Sequence, residues 1–414
     1  MALVYAFSIV RWLSSRQEFR STGTNLAQSS PPDNGRHAII ADRIFDGQHW
    51  HVDAAVLMEG GRVMAVGSPG ALPANATQQR LPPDVFLAPG FVDLQVNGGG
   101  GVLLNDNPDA EAMKAIARTH RRLGTTACLP TLITDMPEKT RATIAAARQI
   151  AGQEGVLGLH LEGPFLNPAR AGVHRRNVIA RAEMRDLDWL GELAEVGRSA
   201  ITLAPECVPV GFIRELASRG IRVCAGHSEA TADEIVRAIG EGLTGVTHLF
   251  NAMPAISARV PGLAGTALAE PKLIASLIVD GIHVDFVTVR AAFAAKSANG
   301  IALVTDAMPT VGTTSDHFRL MDRIVALRNG RLTDENGTLA GAHLDLATAV
   351  RNAVMLARIP IEDALRSVSY TPARFLGLEK ECGALIPGAR ADLVALSDDL
   401  RVVGCWFGGA QSAH

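Results

Sequence analysis

Aromatic residues make up only 5% of the 414-residue chain, its five cysteines include no C-x-x-C pair, and no block of basic residues occurs. Each scarcity excludes something. Cys128, Cys207, Cys224, Cys382 and Cys405 are scattered and odd in number, which fits neither a disulfide framework nor a thiolate zinc site and suits a reducing cytoplasm. A net charge of −3 with both signs interspersed, and no basic-aromatic stripe, makes nucleic acid an unsuitable partner. The apolar start, Met1 to Leu13, has no positive residue ahead of it and is broken by Arg11, so it is too short to span a membrane and weak as a secretory signal. Residues 14–36 are rich in Ser, Pro and Gly; residues 1–36 therefore read as a disordered leader.

What is present is a hydrophobic fraction of 47%, enough for a large core and an α/β enzyme. From His37 short β-branched runs are separated by Asp-Gly and Gly-Gly turns, and the last thirty or so residues have the same texture. One β-sandwich assembled from 37–88 and 383–414 is the economical reading. Between them, over 89–382, eight apolar runs alternate with helical or loop segments, with helices expected at 110–123, 138–150 and 231–241. That rhythm predicts a parallel (β/α)₈ barrel, an α/β fold whose strand C-termini form the active face.

Polar residues stand at the ends of these runs. Glu162 follows GLHL, His227 follows RVCAG, His248 follows GVT, His283 follows LIVDGI and Asp306 follows IALVT. In a barrel they converge on one mouth. A carboxylate with two imidazoles suits a catalytic divalent metal with open positions, so Glu162, His227 and His248 are the expected ligands. Asp306 is placed to move a proton between water and a leaving nitrogen. The plainer alternatives are a loop-capping carboxylate for Glu162, structural histidines, and a helix cap for Asp306. His160, deeper in its strand, reads as a supporting interior residue. The His49/His51 pair lies in the sandwich and reads as hairpin surface.

Eight segments taken together carry a more specific signal: PGFVDLQVNGGGG, LGLHLEGPFLNPARAGVH, TLAPE, CAGHSEAT, THLFNAMPAISARVPGLAG, VDGIHVD, LVTDAM and DENGTLAG. In this order, over about residues 88 to 343, the chain resembles the N-acetylglucosamine-6-phosphate deacetylase family of the amidohydrolase superfamily. The resemblance implies hydrolysis of the substrate's acetamide, with one divalent metal, most simply zinc, on Glu162, His227 and His248, and iron, cobalt or manganese as alternatives. It makes Asp306 the general base and acid, and His174 the group that polarises the acetyl carbonyl. It places Asn251 and Ala252 at the phosphate, with Arg259 reaching it from the other subunit of a homodimer. It sets His283 on sugar hydroxyls beside Asp280, with Val173, Leu339, Ala340 and Gly341 lining the pocket. Plainer roles compete here too: a helix cap for Asn251, a surface charge for Arg259, a turn for Gly341.

Many superfamily members open the barrel with H-x-H and bridge two metals. Here Gln95 and Asn97 occupy those places, which marks them as vacant second-metal positions and resembles a one-metal branch. Asp93 reads as structural. Three other readings compete with the glucosamine substrate: the N-acetylgalactosamine 6-phosphate epimer, another amidohydrolase such as a deaminase, and a catalytically silent barrel, which would have lost one of the four central residues. The stretch after Asp306, MPTVGTTSDHF, reads as a mobile lid or a plain surface loop.

Overall fold

The computed structural model describes residues 35–412; the expected leader lies outside them except for its last two positions. The Asp46 carboxylate accepts the backbone N–H of Gln48 and His49 at 2.8 and 2.7 Å. This local turn reverses the chain between strands His37–Phe45 and Trp50–Glu59. Gly60 and Gly61, both at positive φ, turn it again into Arg62–Gly67. The C-terminal strands Leu393–Ser397, Val402–Phe407 and Ala410–Gln411 join the same eight-stranded sheet, Leu393–Ser397 lying antiparallel to Val85–Pro89. The edge strand Arg62–Gly67 is tied to the segment ahead of Leu393–Ser397, where the Val63 N–H donates to the Ala389 carbonyl and the Ala391 N–H to the Gly61 carbonyl. One face encloses its own core, with Ile39, Val56, Leu87, Leu393 and Trp406. Phe45, Phe86 and Val394, on the other face, join the barrel core.

The barrel strands are β1 Phe91–Val96, β2 Thr125–Ile133, β3 His160–Glu162, β4 Ala200–Leu203, β5 Arg222–Ala225, β6 Leu243–Val246, β7 Ile274–Leu277 and β8 Ile301–Leu303. Each pairs in parallel with the next. Buried on both faces, they read as near-continuous apolar runs, as parallel strands must. The ring closes just past β8, where the Asp306 N–H donates to the Gln95 carbonyl and the Asn97 N–H to the Ala307 carbonyl, each at 3.0 Å. Asp306 is thereby held against β1.

The expected helices run Ala110–Arg122, Pro137–Ile150 and Ala232–Glu241. Thr231 caps the third in a reciprocal box with Glu234, and Gly242 ends it at φ 109°. One insertion was not read from the sequence. Strands His317–Leu320, Arg323–Arg328 and Arg331–Thr333 form a small antiparallel sheet in the β8 connection; it takes in only His317 and Phe318 of the stretch expected to be a lid or surface loop, and residues 308–316 are turn and loop. Leu320, Val325 and Leu332 pack it onto Leu103, Ile133 and Met308. Its short strands carry too few residues for alternation to stand out. No helix among the described residues is long and apolar enough to cross a membrane.

Candidate active site

Glu162 ends β3, while His227, His248 and Asp306 follow the ends of β5, β6 and β8 by two, two and three residues. The backbone is left-handed at those last three, with φ of 49°, 32° and 50°, and again at Ala252, with φ of 51°. Non-glycine residues adopt that region at a cost, and such strain gathers at functional sites. Here it turns the chain out of each strand, and all four side chains line one cavity of about 350 Å³ at the C-terminal mouth. Each is almost sealed; Asp306, the most open, is 9% exposed.

Three ligand-type atoms meet at one point. Glu162 Oε1 lies 3.2 Å from His227 Nε2 and 2.9 Å from His248 Nε2, and the two nitrogens are 3.1 Å apart. A tetrahedral ion with bonds of about 2.0–2.1 Å spaces its ligands about 3.3 Å apart, so the triangle fits a divalent cation. His227 is oriented for it: Nδ1 donates to the Arg170 carbonyl at 2.7 Å, leaving the Nε2 lone pair free. His248 Nδ1 is buried without a partner among the described residues. Burial opposes ionisation of Glu162, yet the hydrogen bonds and charges of His227 and His248 hold its pKa well below the ordinary value. Burial lowers the His248 pKa too, but Glu162 outweighs it and keeps it raised. The trio attracts positive charge.

His174 Nε2 lies 3.8 Å from Glu162 Oε2, and Glu162, His174 and His227 also offer ligand atoms within 4.8 Å of one another. Its tautomer argues for a different role. His174 Nδ1 accepts the backbone N–H of Thr134 at 3.3 Å, beside the Thr134 hydroxyl at 2.8 Å. A hydroxyl can rotate, but a backbone N–H cannot turn its hydrogen away, so Nδ1 is bare and Nε2 carries the proton. Burial, then repulsion from His227, lowers the His174 pKa to about 3. His174 is a neutral donor aimed at the cavity.

Gln95 Nε2 donates to Glu162 Oε1 at 3.2 Å and to Asp306 Oδ1 at 3.1 Å, and Asn97 Nδ2 donates to the same Asp306 oxygen at 2.6 Å. Amide hydrogens therefore occupy the region where a second cation would need lone pairs. Asp306 Oδ2 accepts no hydrogen bond among the described residues. Burial first, then the Glu162 charge, raises the Asp306 pKa to about 6. Asp93 stands apart, accepting from the Thr305 hydroxyl at 2.6 Å.

Val173, Asn251, Ala252, His283, Leu339 and Gly341 line the same cavity. Gly341 must be glycine: at φ 60° a Cβ would sit 2.7 Å from Met308 Cγ and 2.8 Å from the Asp306 carbonyl. Asp280 stands behind His283, accepting from its Nδ1 at 2.7 Å. Ala340 is fully buried in the small core under the three-stranded sheet. Arg259 is exposed and outside its own chain's cavity. His160 lies below the mouth, bonded to Thr202 at 2.8 Å, and His51 pairs with Asp46 in the sandwich. Sequence reasoning missed Thr134 and the Arg170 carbonyl, which act through backbone atoms that leave no signal in residue type.

A parallel barrel with a carboxylate and two imidazoles converging beside a buried aspartate defines a class, and the amidohydrolase family model matches residues 86–411. The chain belongs to the amidohydrolase family. Within it, the chain is similar to deacetylases of hexosamine 6-phosphates. It is 38% identical to the N-acetylgalactosamine-6-phosphate deacetylase of a Shewanella species, over 81% of this chain and 85% of that protein. It is 32% identical to the N-acetylglucosamine-6-phosphate deacetylase of Haemophilus influenzae, over 86% and 94%. The crystal structure of the Pasteurella multocida N-acetylglucosamine-6-phosphate deacetylase superposes with a TM-score of 0.88 at 33% identity, covering 92% of this chain and 100% of that one.

Proposed function

We propose that the chain hydrolyses the acetamide of N-acetyl-D-glucosamine 6-phosphate to D-glucosamine 6-phosphate and acetate, in amino-sugar breakdown. The carrying observation is the convergence of Glu162, His227 and His248 beside a free oxygen of Asp306 and the donor face of His174. Glu162, His227 and His248 would hold one divalent cation, with zinc, iron, cobalt and manganese all suited to the set. Bound there, it would supply Lewis acidity to the acetyl group and to water.

The chain's own groups do the rest. Asp306 takes the proton of the attacking water at Oδ2, while Gln95 and Asn97 hold its other oxygen, and then returns it to the departing nitrogen. His174 donates its Nε2 hydrogen to the acetyl oxygen as negative charge builds there. His283, kept in orientation by Asp280, meets the sugar hydroxyls, with Val173, Leu339 and Gly341 as walls and Ala340 behind them. Asn251 and Ala252 take the phosphate, completed by Arg259 of the partner subunit in a homodimer. The exposure of Arg259 between Ile256 and Val260, 49% and 59% exposed, supports that surface.

The galacto epimer is a second reading, favoured by the 38% identity to an N-acetylgalactosamine-6-phosphate deacetylase. Acetate release from both epimers, on a preparation of measured metal content, tests both. A metal-replete protein that releases acetate from neither would overturn the proposal.

A further inference from the structure

A second cavity of about 430 Å³ opens beside the catalytic one and shares Gly172 and His174 with it. Its other walls are Arg175, Arg176, Asn177, Asp322 and Arg323, with no apolar side chain among them. The mechanism above uses none of these five. Three arginines and one aspartate line it, and with Asp334 paired to Arg323 behind the wall one positive charge, that of Arg176, is left over on a chain of net charge −3.

Two of the guanidiniums are anchored. Arg175 donates from Nη2 to Asp322 Oδ1 at 2.9 Å, tying the loop after β3 to the turn between the first two strands of the small sheet. Arg323 donates to Asp334 at 3.2 Å, and that carboxylate is further occupied by the N–H groups of Asn336 and Thr338. These pairs hold the wall in place. Arg176 has no carboxylate within 4 Å among the described residues and is exposed. A planar fork without an acid partner, beside a wall of ion-paired arginines that still carry unused N–H donors, suits a doubly charged oxyanion.

We propose that this cavity is an outer anion site that captures the phosphate monoester dianion of the incoming substrate and raises its concentration at the catalytic mouth. The inference rests on the phosphosugar reading given above. Positive walls around a low-dielectric cleft raise the capture rate of an anion by tenfold or more at low salt, and the gain fades as salt rises.

The test uses the metal-loaded protein and Arg176→Gln and Arg176→Glu, an exposed position where folding is not at stake. With N-acetylglucosamine 6-phosphate at low ionic strength, kcat/KM should fall about 2- to 3-fold in the first variant and about 5- to 10-fold in the second. The gap should close in high salt, with kcat unchanged and turnover of unphosphorylated N-acetylglucosamine unaffected. Equal losses on both sugars, or no loss at low salt, would overturn the proposal. Should the parent protein turn over no acetylated phosphosugar, the functional reading fails, and inorganic phosphate binding followed by ³¹P NMR decides the cavity alone. Affinity that Arg176→Glu leaves unweakened would then refute it.

Discussion

Asn97 is the residue at which a small change should move the chemistry in a calculable way. Its Nδ2 donates to Asp306 Oδ1 at 2.6 Å, the shorter of the two amide contacts on that oxygen. Asn97→Leu keeps the shape, keeps the backbone bonds that close the barrel, and removes a carbonyl oxygen that is buried without a partner. What it takes away is one hydrogen bond to the ionised form of Asp306. Such a bond to a charged group is worth about 1.5–3 kcal/mol, which is roughly one to two pKa units.

The direction follows from which form loses support. The carboxylate is destabilised relative to the acid, so the Asp306 pKa rises from its already raised value of about 6 toward roughly 7–8. In the proposed mechanism Asp306 is the base, so the acidic limb of kcat/KM against pH should move up by one to two units, with the high-pH plateau within about threefold of the parent. A cation held by Glu162, His227 and His248 would lower this limb in parent and variant alike, so the difference between the two is the quantity to read. The assay is kcat/KM between pH 5 and 10 at constant metal and ionic strength. A limb that stays in place while activity drops equally at every pH would refute the reasoning and make Asn97 a packing residue.

His227→Ala removes an imidazole anchored by the Arg170 carbonyl and should leave the purified protein with substoichiometric metal; unchanged metal content would rule out ligation. Asp306→Asn should retain metal and substrate affinity while kcat falls by about 10²- to 10⁴-fold, and near-normal turnover would remove Asp306 from the mechanism. Asp93, fully buried on β1 and hydrogen-bonded to Thr305 just past β8, has its pKa raised by burial from 3.8 to about 7. The folded state therefore binds the proton more tightly than the unfolded chain, and stability falls as pH rises from about 4 to about 7, by up to roughly 4 kcal/mol. Asp93→Asn should flatten that slope in denaturant titrations at pH 4.5 and 7.5, and an unchanged slope would show that Asp93 does not cause it.

The residues that converge on the cavity were legible because a parallel barrel leaves few places for polar side chains: Glu162, His227, His248 and Asp306 each interrupt an otherwise apolar run at its C-terminal end. The expectation of a single metal came from amides at 95 and 97, which make poor ligands. What those amides do instead was not legible. Their hydrogens point at Asp306 and Glu162 because β1 and the segment after β8 are hydrogen-bonded neighbours, a pairing that spans over two hundred residues. The tautomer of His174 depends on a backbone N–H of Thr134, forty residues away. The three-stranded sheet escaped notice because its strands are short and one face meets solvent, so composition alone reads as loop.

Glu162 and Asp306 are two buried carboxylates joined through a single amide nitrogen, yet their surroundings drive them apart. Two imidazoles hold Glu162 ionised, whereas burial and the Glu162 charge push Asp306 up to about 6. Separated pKa values in one pocket assign separate roles: the permanently charged carboxylate suits a ligand, and the one that titrates near neutrality suits a proton carrier. Gln95 and Asn97 preserve that separation. They offer Asp306 hydrogen bonds without charge, which steady it but do not abolish its basicity. Imidazoles at the same two positions would instead present lone pairs beside it, inviting a second cation where the amides now offer only hydrogens.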